Sequence, residues 1–400
     1  MSEARVAGVP ERVDVGAIER ELHRLWSSLD EEGAPGAGGN AVAQVTRICT
    51  LTLLAVVRNG RAADAAAIAE RLGARYPSRS IVLDLSPGTG DRLAAEVALN
   101  CHTPGTPRPT VCCEQLTVSA SGRSLARVPG LVLPLLVPDL PVYVWWSGDL
   151  PSFQPAAPEP EADVLRRLAE VADALIVDSS AMRRPTIGLR TAVALSAPLS
   201  GGLRDLSWGR LTPWRDLVVQ CFDPAPMRQA LERLDRIRIR TAPGAASSSA
   251  DPADPIAGLL LGGWVAGRLG WEPAGPARRE GGVLRALFWR EGGGLELAVE
   301  GGAGPVLAIE CTAGGAEPCA VSIARQSGGA DDAVAGGETG RQSSVQIETR
   351  LGRGRARTTA AGLPLADDTA LIGAEFEVSG VDHVLREALE IVLRVTQGSS

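Results

Sequence analysis

Sixteen residues, LVLPLLVPDLPVYVWW (Leu131–Trp146), constrain the fold more than any other part of this chain. They carry one charge, Asp139, together with three prolines and two adjacent tryptophans. A membrane span needs about 20 apolar residues in one continuous helix. Pro134, Pro138 and Pro141 deny that here, because each removes a backbone donor and fixes φ. The stretch instead predicts a helix end at Leu131–Leu136, a proline-shaped turn at Val137–Leu140 and a buried strand at Val142–Trp146. A strand without polar alternation suits a sheet covered on both faces.

The surrounding segments alternate between helix and strand. Val15, Ile18, Leu22, Leu25, Trp26 and Leu29 recur at helical spacing, so Asp14–Leu29 is expected to be an amphipathic helix capped by Asp14. After a glycine-rich connector at 33–40 come a strand (Val45–Val57), an alanine-rich helix (Ala62–Gly73) and a strand (Ser80–Leu85). That order implies a parallel sheet with a right-handed crossover. Strands at Leu93–Cys101 and Val111–Ala120 follow, then a helix at Arg123–Leu136 and the strand ending at Trp146. A helix at Asp163–Ala172 and a strand at Ala174–Asp178 complete a Rossmann-like doubly wound α/β domain. SPGTGDR (Ser86–Arg92) lacks the third glycine of a dinucleotide fingerprint and a P-loop lysine, and reads as an ordinary turn.

Thr241–Pro252 is rich in Ala, Ser, Pro and Gly and marks a domain boundary. Asp254 and Pro255 open a helix through LLLGGWVAGRLGW, where Gly263 and Gly267 permit close backbone approach. Short alternating strands at Val283–Arg290, Leu295–Glu300, Val306–Cys311, Ala320–Gln326 and Val345–Arg350 predict an antiparallel meander. A final helix is expected at about Asp382–Val395. The 400 residues exceed one ordinary core. The expected organisation is an N-terminal helix and linker (1–40), the Rossmann-like domain (41–240) and a smaller α+β domain (253–400).

The formal charge of −7 argues against nucleic acid, which calls for a basic stripe. No apolar stretch reads as a membrane span or a signal peptide, so a cytoplasmic location is expected and the seven cysteines read as cytosolic thiols. Three histidines, His23, His102 and His383, leave little for acid–base or metal chemistry. Cys101–His102 with Cys112–Cys113 invites a zinc reading. Adjacent strand residues face opposite sides, however, and the C-x-x-C spacing is missing, so no metal or cofactor is expected. A hairpin centred near Thr106–Pro107 would oppose Cys101 to Cys112 and turn Cys113 to the other face. These three are redox candidates, with inert buried thiols as the alternative. Cys311 and Cys319 offer a second pairing.

Asp84 and Asp178 at strand ends fit either a sugar-phosphate site with Arg183 or Arg184, or helix capping and loop hydrogen bonding. In DLSWGRLTPWRDLVVQCF (Asp205–Phe222), Trp214, Leu217, Val218, Cys221 and Phe222 share one helical face. Trp208, Arg210 and Arg215 lie off that stripe. They read either as a partner-facing group or as a tether within their own domain.

Three stretches, LVLPLLVPDLPVYVWW (131–146), DLSWGRLTPWRDL (205–217) and LLLGGWVAGRLGW (259–271), resemble the OpcA family of glucose-6-phosphate dehydrogenase assembly proteins in sequence, order and separation. The resemblance covers most of the chain and fades from about Glu291 to Arg355. It implies a non-enzymatic, allosteric partner that binds glucose-6-phosphate dehydrogenase, promotes its active oligomer and changes its response to substrate. Such a partner supports the oxidative pentose phosphate pathway and its NADPH supply. On that reading the contact candidates are Trp145, Trp146, Trp208, Arg210, Trp214 and Arg215. The hairpin cysteines resemble those of the family's branch from photosynthetic bacteria. That implies thiol redox control, with thioredoxin as a further partner. A Rossmann-like protein recognising a sugar phosphate or nucleotide is the alternative.

Overall fold

The computed structural model describes residues 2–10, 12–32, 45–88, 90–103, 110–154, 159–244, 254–326, 334–335 and 341–397. The connector at 33–40, the hairpin tip at Thr106–Pro107 and most of the 241–252 linker lie outside the described residues. The chain forms two compact units. One comprises Met1–Val177, Ala192–Arg204 and Asp368–Val381; the other comprises Asp178–Thr191, Asp205–Asp367 and Asp382–Ser400.

The first unit is built on β1 (Ser2–Gly8), β2 (Val45–Arg47), β3 (Leu51–Arg58), β4 (Ser78–Ser86), β5 (Leu93–Thr103), β6 (Thr110–Ser121), β7 (Val142–Trp146), β8 (Ala174–Val177) and β9 (Gly202–Asp205). They are ordered β1-β5-β6-β4-β3-β7-β8-β9, with β2 beside β6. The pairs β6–β4, β4–β3, β3–β7 and β7–β8 are parallel. The run from β6 to β9 therefore has the doubly wound Rossmann order, with the order of strand succession reversing between the parallel neighbours β3 and β7. Leu53, Leu54, Val56, Ile81, Leu83 and Val144 are fully buried on both faces, as continuous apolar strands require.

Local chemistry sets the helices. Val15–Glu32 starts where Asp14 Oδ1 accepts from the Ala17 N–H at 2.8 Å. The helix expected at Arg123–Leu136 is broken into a 3-10 turn (Gly122–Arg127), one α turn (Val128–Val132) and another 3-10 turn (Leu133–Leu135). Pro129 and Pro134 withhold the N–H groups a longer helix would use. The chain start also differs from its expectation as helix and linker, because β1 adds antiparallel to β5.

The second unit holds β10 (Leu234–Thr241), β11 (Glu272–Pro273), β12 (Arg278–Glu280), β13 (Val283–Arg290), β14 (Gly293–Glu300), β15 (Val306–Ala313), β16 (Cys319–Arg325), β17 (Val334–Ala335), β18 (Arg341–Leu351) and β19 (Arg357–Pro364). Their order is β11-β13-β14-β10-β15-β16-β18-β17, with β12 on β13 and β19 on β18. Neighbours are antiparallel except β10 and β14. The expected meander is thus interrupted by β10, whose residues precede the boundary expected at Thr241–Pro252. The helix Ile256–Arg268 lies on the sheet at its glycines. A Cβ on Gly262 would stand 2.5 Å from Leu297 Cδ1, and one on Gly263 would stand 3.2 Å from the Ala388 carbonyl oxygen. His383–Val395 packs beside it, capped by Asp382.

Candidate functional site

An open α/β sheet takes its ligand outside the strand carboxyl ends, where the order reverses. In the first unit that place lies between β3 and β7, and the β3–helix turn is Arg58-Asn59-Gly60-Arg61. A dinucleotide loop carries three glycines there to let the pyrophosphate approach the backbone. This turn has one, and Asp84 Oδ1 closes it by accepting from the Gly60 N–H at 3.1 Å. Arg58 extends over the Trp146 ring at 5.7 Å and pairs with the fully buried Glu161 at 3.5 Å. Glu161 lies in the first turn of Glu161–Ala169, where the helix dipole favours a carboxylate. The Arg58, Trp146 and Glu161 side chains thus gather at this end of the sheet. Ser86–Arg92, which the sequence reads as an ordinary turn, follows the next strand, β4. There Asp91 accepts from Arg123 Nε at 2.7 Å, and that bond holds its carboxyl below the ordinary range.

The cysteine hairpin lies elsewhere in the same sheet. Register opposes Cys101 to Cys112, and their sulfurs are joined in a disulfide. Cys113 faces the other way, with its Sγ 3.7 Å from the Gly73 carbonyl oxygen. Burial pushes its thiol up to about 11, so almost none is thiolate at neutral pH and it is a poor nucleophile. Glu114, next along, is 7% exposed and holds a cluster. Its Oε1 accepts from Trp26 Nε1 at 2.8 Å and pairs with Arg47 at 2.6 Å, while Oε2 accepts from Arg79 Nε at 2.7 Å. A cavity of about 530 Å³ beside this cluster is lined by Cys49, Cys112, Arg79, Glu114 and Pro134. The disulfide itself is buried behind this wall, with Cys101 2% and Cys112 0% exposed. Cys311 and Cys319 do not pair, because Cys311 faces Val321 and Cys319 faces Ala313.

In the second unit a polar cluster gathers behind the Asp205–Phe222 segment. Arg210 binds Asp178 with both terminal nitrogens at 2.8 Å. Ser207 Oγ and Ser180 Oγ donate to the same carboxylate at 3.1 and 2.7 Å. Burial alone would raise the Asp178 pKa, but Arg210 and the two serines hold it below the ordinary value. Asp205 accepts from the Ser179 and Ser207 N–H groups at 3.0 Å and from Ser179 Oγ at 2.6 Å. Complete burial outweighs those bonds and pushes it up to about 6, with Asp178 adding to the rise. For Asp178 and Asp84, loop hydrogen bonding is the role the geometry gives.

The six residues expected at a partner surface are mostly interior. Trp145, Trp146, Trp208 and Trp214 are 4%, 0%, 5% and 1% exposed, which corrects their reading as contact residues. Sheet burial hides the first pair. Trp208 is held by its indole N–H to Asp382 at 2.9 Å and covered by the Arg215 guanidinium at 3.6 Å. Arg215 also donates to the Trp208 carbonyl at 2.9 Å, and Arg210 is turned to Asp178. The segment is a tether within its own unit. Large apolar exposure lies instead on β13, where Leu287 and Trp289 are 61% and 58% exposed beside the half-exposed Arg285. Leu284, Ala286 and Phe288 fill the alternate inward positions. The signal was available in VLRALFWR, since strict alternation around Phe288 turns Leu287 and Trp289 outward. Among the described residues no cluster has the makings of a metal site, and no helix is long and apolar enough to cross a membrane.

Comparison with known proteins adds to this geometry. Residues 69–193 match the family described as "Glucose-6-phosphate dehydrogenase subunit N-terminal domain". Residues 201–389 match its C-terminal counterpart. The chain is 32% identical over 212 residues to an OpcA protein of Synechocystis sp., covering 52% of this chain and 41% of that protein. With an OpcA protein of Nostoc punctiforme it shares 31% over 218 residues, covering 54% and 42%. The chain thus matches less than half the length of these relatives. Among solved structures it is similar to a super-repressor mutant of Gal80p from Saccharomyces cerevisiae, with 10% identity, TM-score 0.43 and coverage of 88% and 98%. The apo scyllo-inositol dehydrogenase of Lactobacillus casei gives 10% identity, TM-score 0.35 and coverage of 88% and 96%.

Proposed function

The chain belongs to the OpcA family of glucose-6-phosphate dehydrogenase subunits, and from that premise we propose that it is a non-enzymatic cytoplasmic partner of that dehydrogenase. It binds the enzyme, favours its active oligomer and alters its response to substrate, supporting NADPH supply through the oxidative pentose phosphate pathway. The observation that supports the non-enzymatic part is the turn after β3, which has one glycine where a dinucleotide loop has three. At that end of the sheet Arg58 pairs with the buried Glu161 and lies over the Trp146 ring. The outward face of β13 supports a binding role. Trp289 and Arg285 on one exposed strand are residue types enriched in interface hot spots, and Leu287 adds exposed apolar surface beside them. We assign Leu287 and Trp289 as the contact in place of the buried tryptophans.

The Cys101–Cys112 disulfide supports a redox-tuned version of this role. A dithiol reductant of the thioredoxin class would open it, taking both sulfurs to thiols as its own pair closes. Steady-state kinetics of the dehydrogenase from the same source, with and without this chain, test the proposal. The expected result is a shifted substrate-saturation curve. An unchanged curve with both the oxidised and the reduced chain overturns it.

A further inference from the structure

The second unit contains a cavity of about 530 Å³ that the partner role does not use. This volume falls within the roughly 300–1,000 Å³ typical of small-molecule sites. Its walls are largely apolar and include four prolines, Pro213, Pro243, Pro305 and Pro364, with the nearly buried Trp214 behind them. Proline surfaces are rigid, so they suit a flat apolar body at little cost in side-chain entropy.

Two guanidinium groups, those of Arg210 and Arg325, reach this lining, and among the described residues it has no carboxylate. They differ in kind. Arg210 is neutralised by Asp178 behind the wall. Arg325 ends β16 with its guanidinium 5.9 Å from the Trp214 ring centre, and its Nε is buried without a hydrogen-bond partner among the described residues. Burial draws its pKa below the ordinary arginine value. A buried N–H without an acceptor is costly, and the half-buried charge beside it lacks a carboxylate in the lining among the described residues. Such a group is stabilised by an incoming anion.

We propose that this cavity binds a small organic anion, with a phosphate or carboxylate group on Arg325 and a flat apolar body against the prolines. Arginine matches either group through two parallel N–H donors. The inference is independent of the dehydrogenase partnership, since it rests on the second unit alone.

Isothermal titration of the full chain with 1-naphthyl phosphate, 1-naphthoate and neutral 1-naphthol tests it. At least one of the anions should bind at least about tenfold more tightly than the naphthol, the scale of one charged hydrogen bond. The tighter of the two identifies the natural ligand as a phosphomonoester or an organic acid. Arg325→Gln should remove that advantage while leaving the naphthol affinity unchanged. On the unaltered chain, rising salt should weaken anion binding and spare the naphthol. Equal binding of all three, binding of none, or anion affinity insensitive to both salt and Arg325→Gln overturns the proposal.

Discussion

Asp205 and Asp178 lie in one cluster yet are pushed in opposite directions. Asp205 is fully buried and faces only neutral donors, so its pKa rises to about 6. Asp178 has Arg210, and its pKa falls. Between about pH 4 and pH 6 the folded chain therefore holds a proton on Asp205 that the unfolded chain has released. The stabilisation this gives is complete below the unfolded pKa and is lost as pH rises through the folded value. The loss should amount to about 3 kcal/mol. Asp205→Asn keeps the oxygen that accepts from Ser179 and Ser207, so urea midpoints of that variant should lose the wild-type decline over this window. Parallel curves would contradict the assignment. At this scale the sequence was partly legible. Helical spacing put Trp214 on the buried stripe, where it is 1% exposed. The burial of Trp208 was not legible, because its indole partner Asp382 lies 174 residues away.

Among elements, the β5–β6 hairpin was the most readable, since strand period two and the Cys101–Cys112 spacing fix which residues oppose each other. The same reasoning failed for Cys311 and Cys319, where the turn sets a register two residues different. The bond joining β5 and β6 closes a short loop, with a sequence separation of 11. Loop-closure entropy for such a loop suggests about 2–3 kcal/mol. Reduction of the wild type should lower its urea midpoint accordingly. A Cys101→Ser/Cys112→Ser variant should unfold at the reduced midpoint whether or not reductant is present. Identical wild-type midpoints with and without reductant would show that the bond does not stabilise the fold.

Across the whole molecule, the order of elements revealed the Rossmann-like class because apolar runs alternate with amphipathic helices from Leu51 to Val177. Which sheet a strand joins was not visible. β10 pairs with β14, whose Glu296 lies 60 residues beyond Arg236. The chain also returns to the first unit at Asp368–Val381 after completing the second sheet. Such choices depend on distant partners, and no local window contains them. The most direct test of the partnership is the mass, by light scattering, of this chain mixed with glucose-6-phosphate dehydrogenase from the same source. The account predicts a complex heavier than either protein, weakened at least about tenfold when Leu287 and Trp289 are both changed to Asp, the scale of losing a hot-spot pair. Two unchanged separate masses, under oxidising and reducing conditions alike, would contradict it.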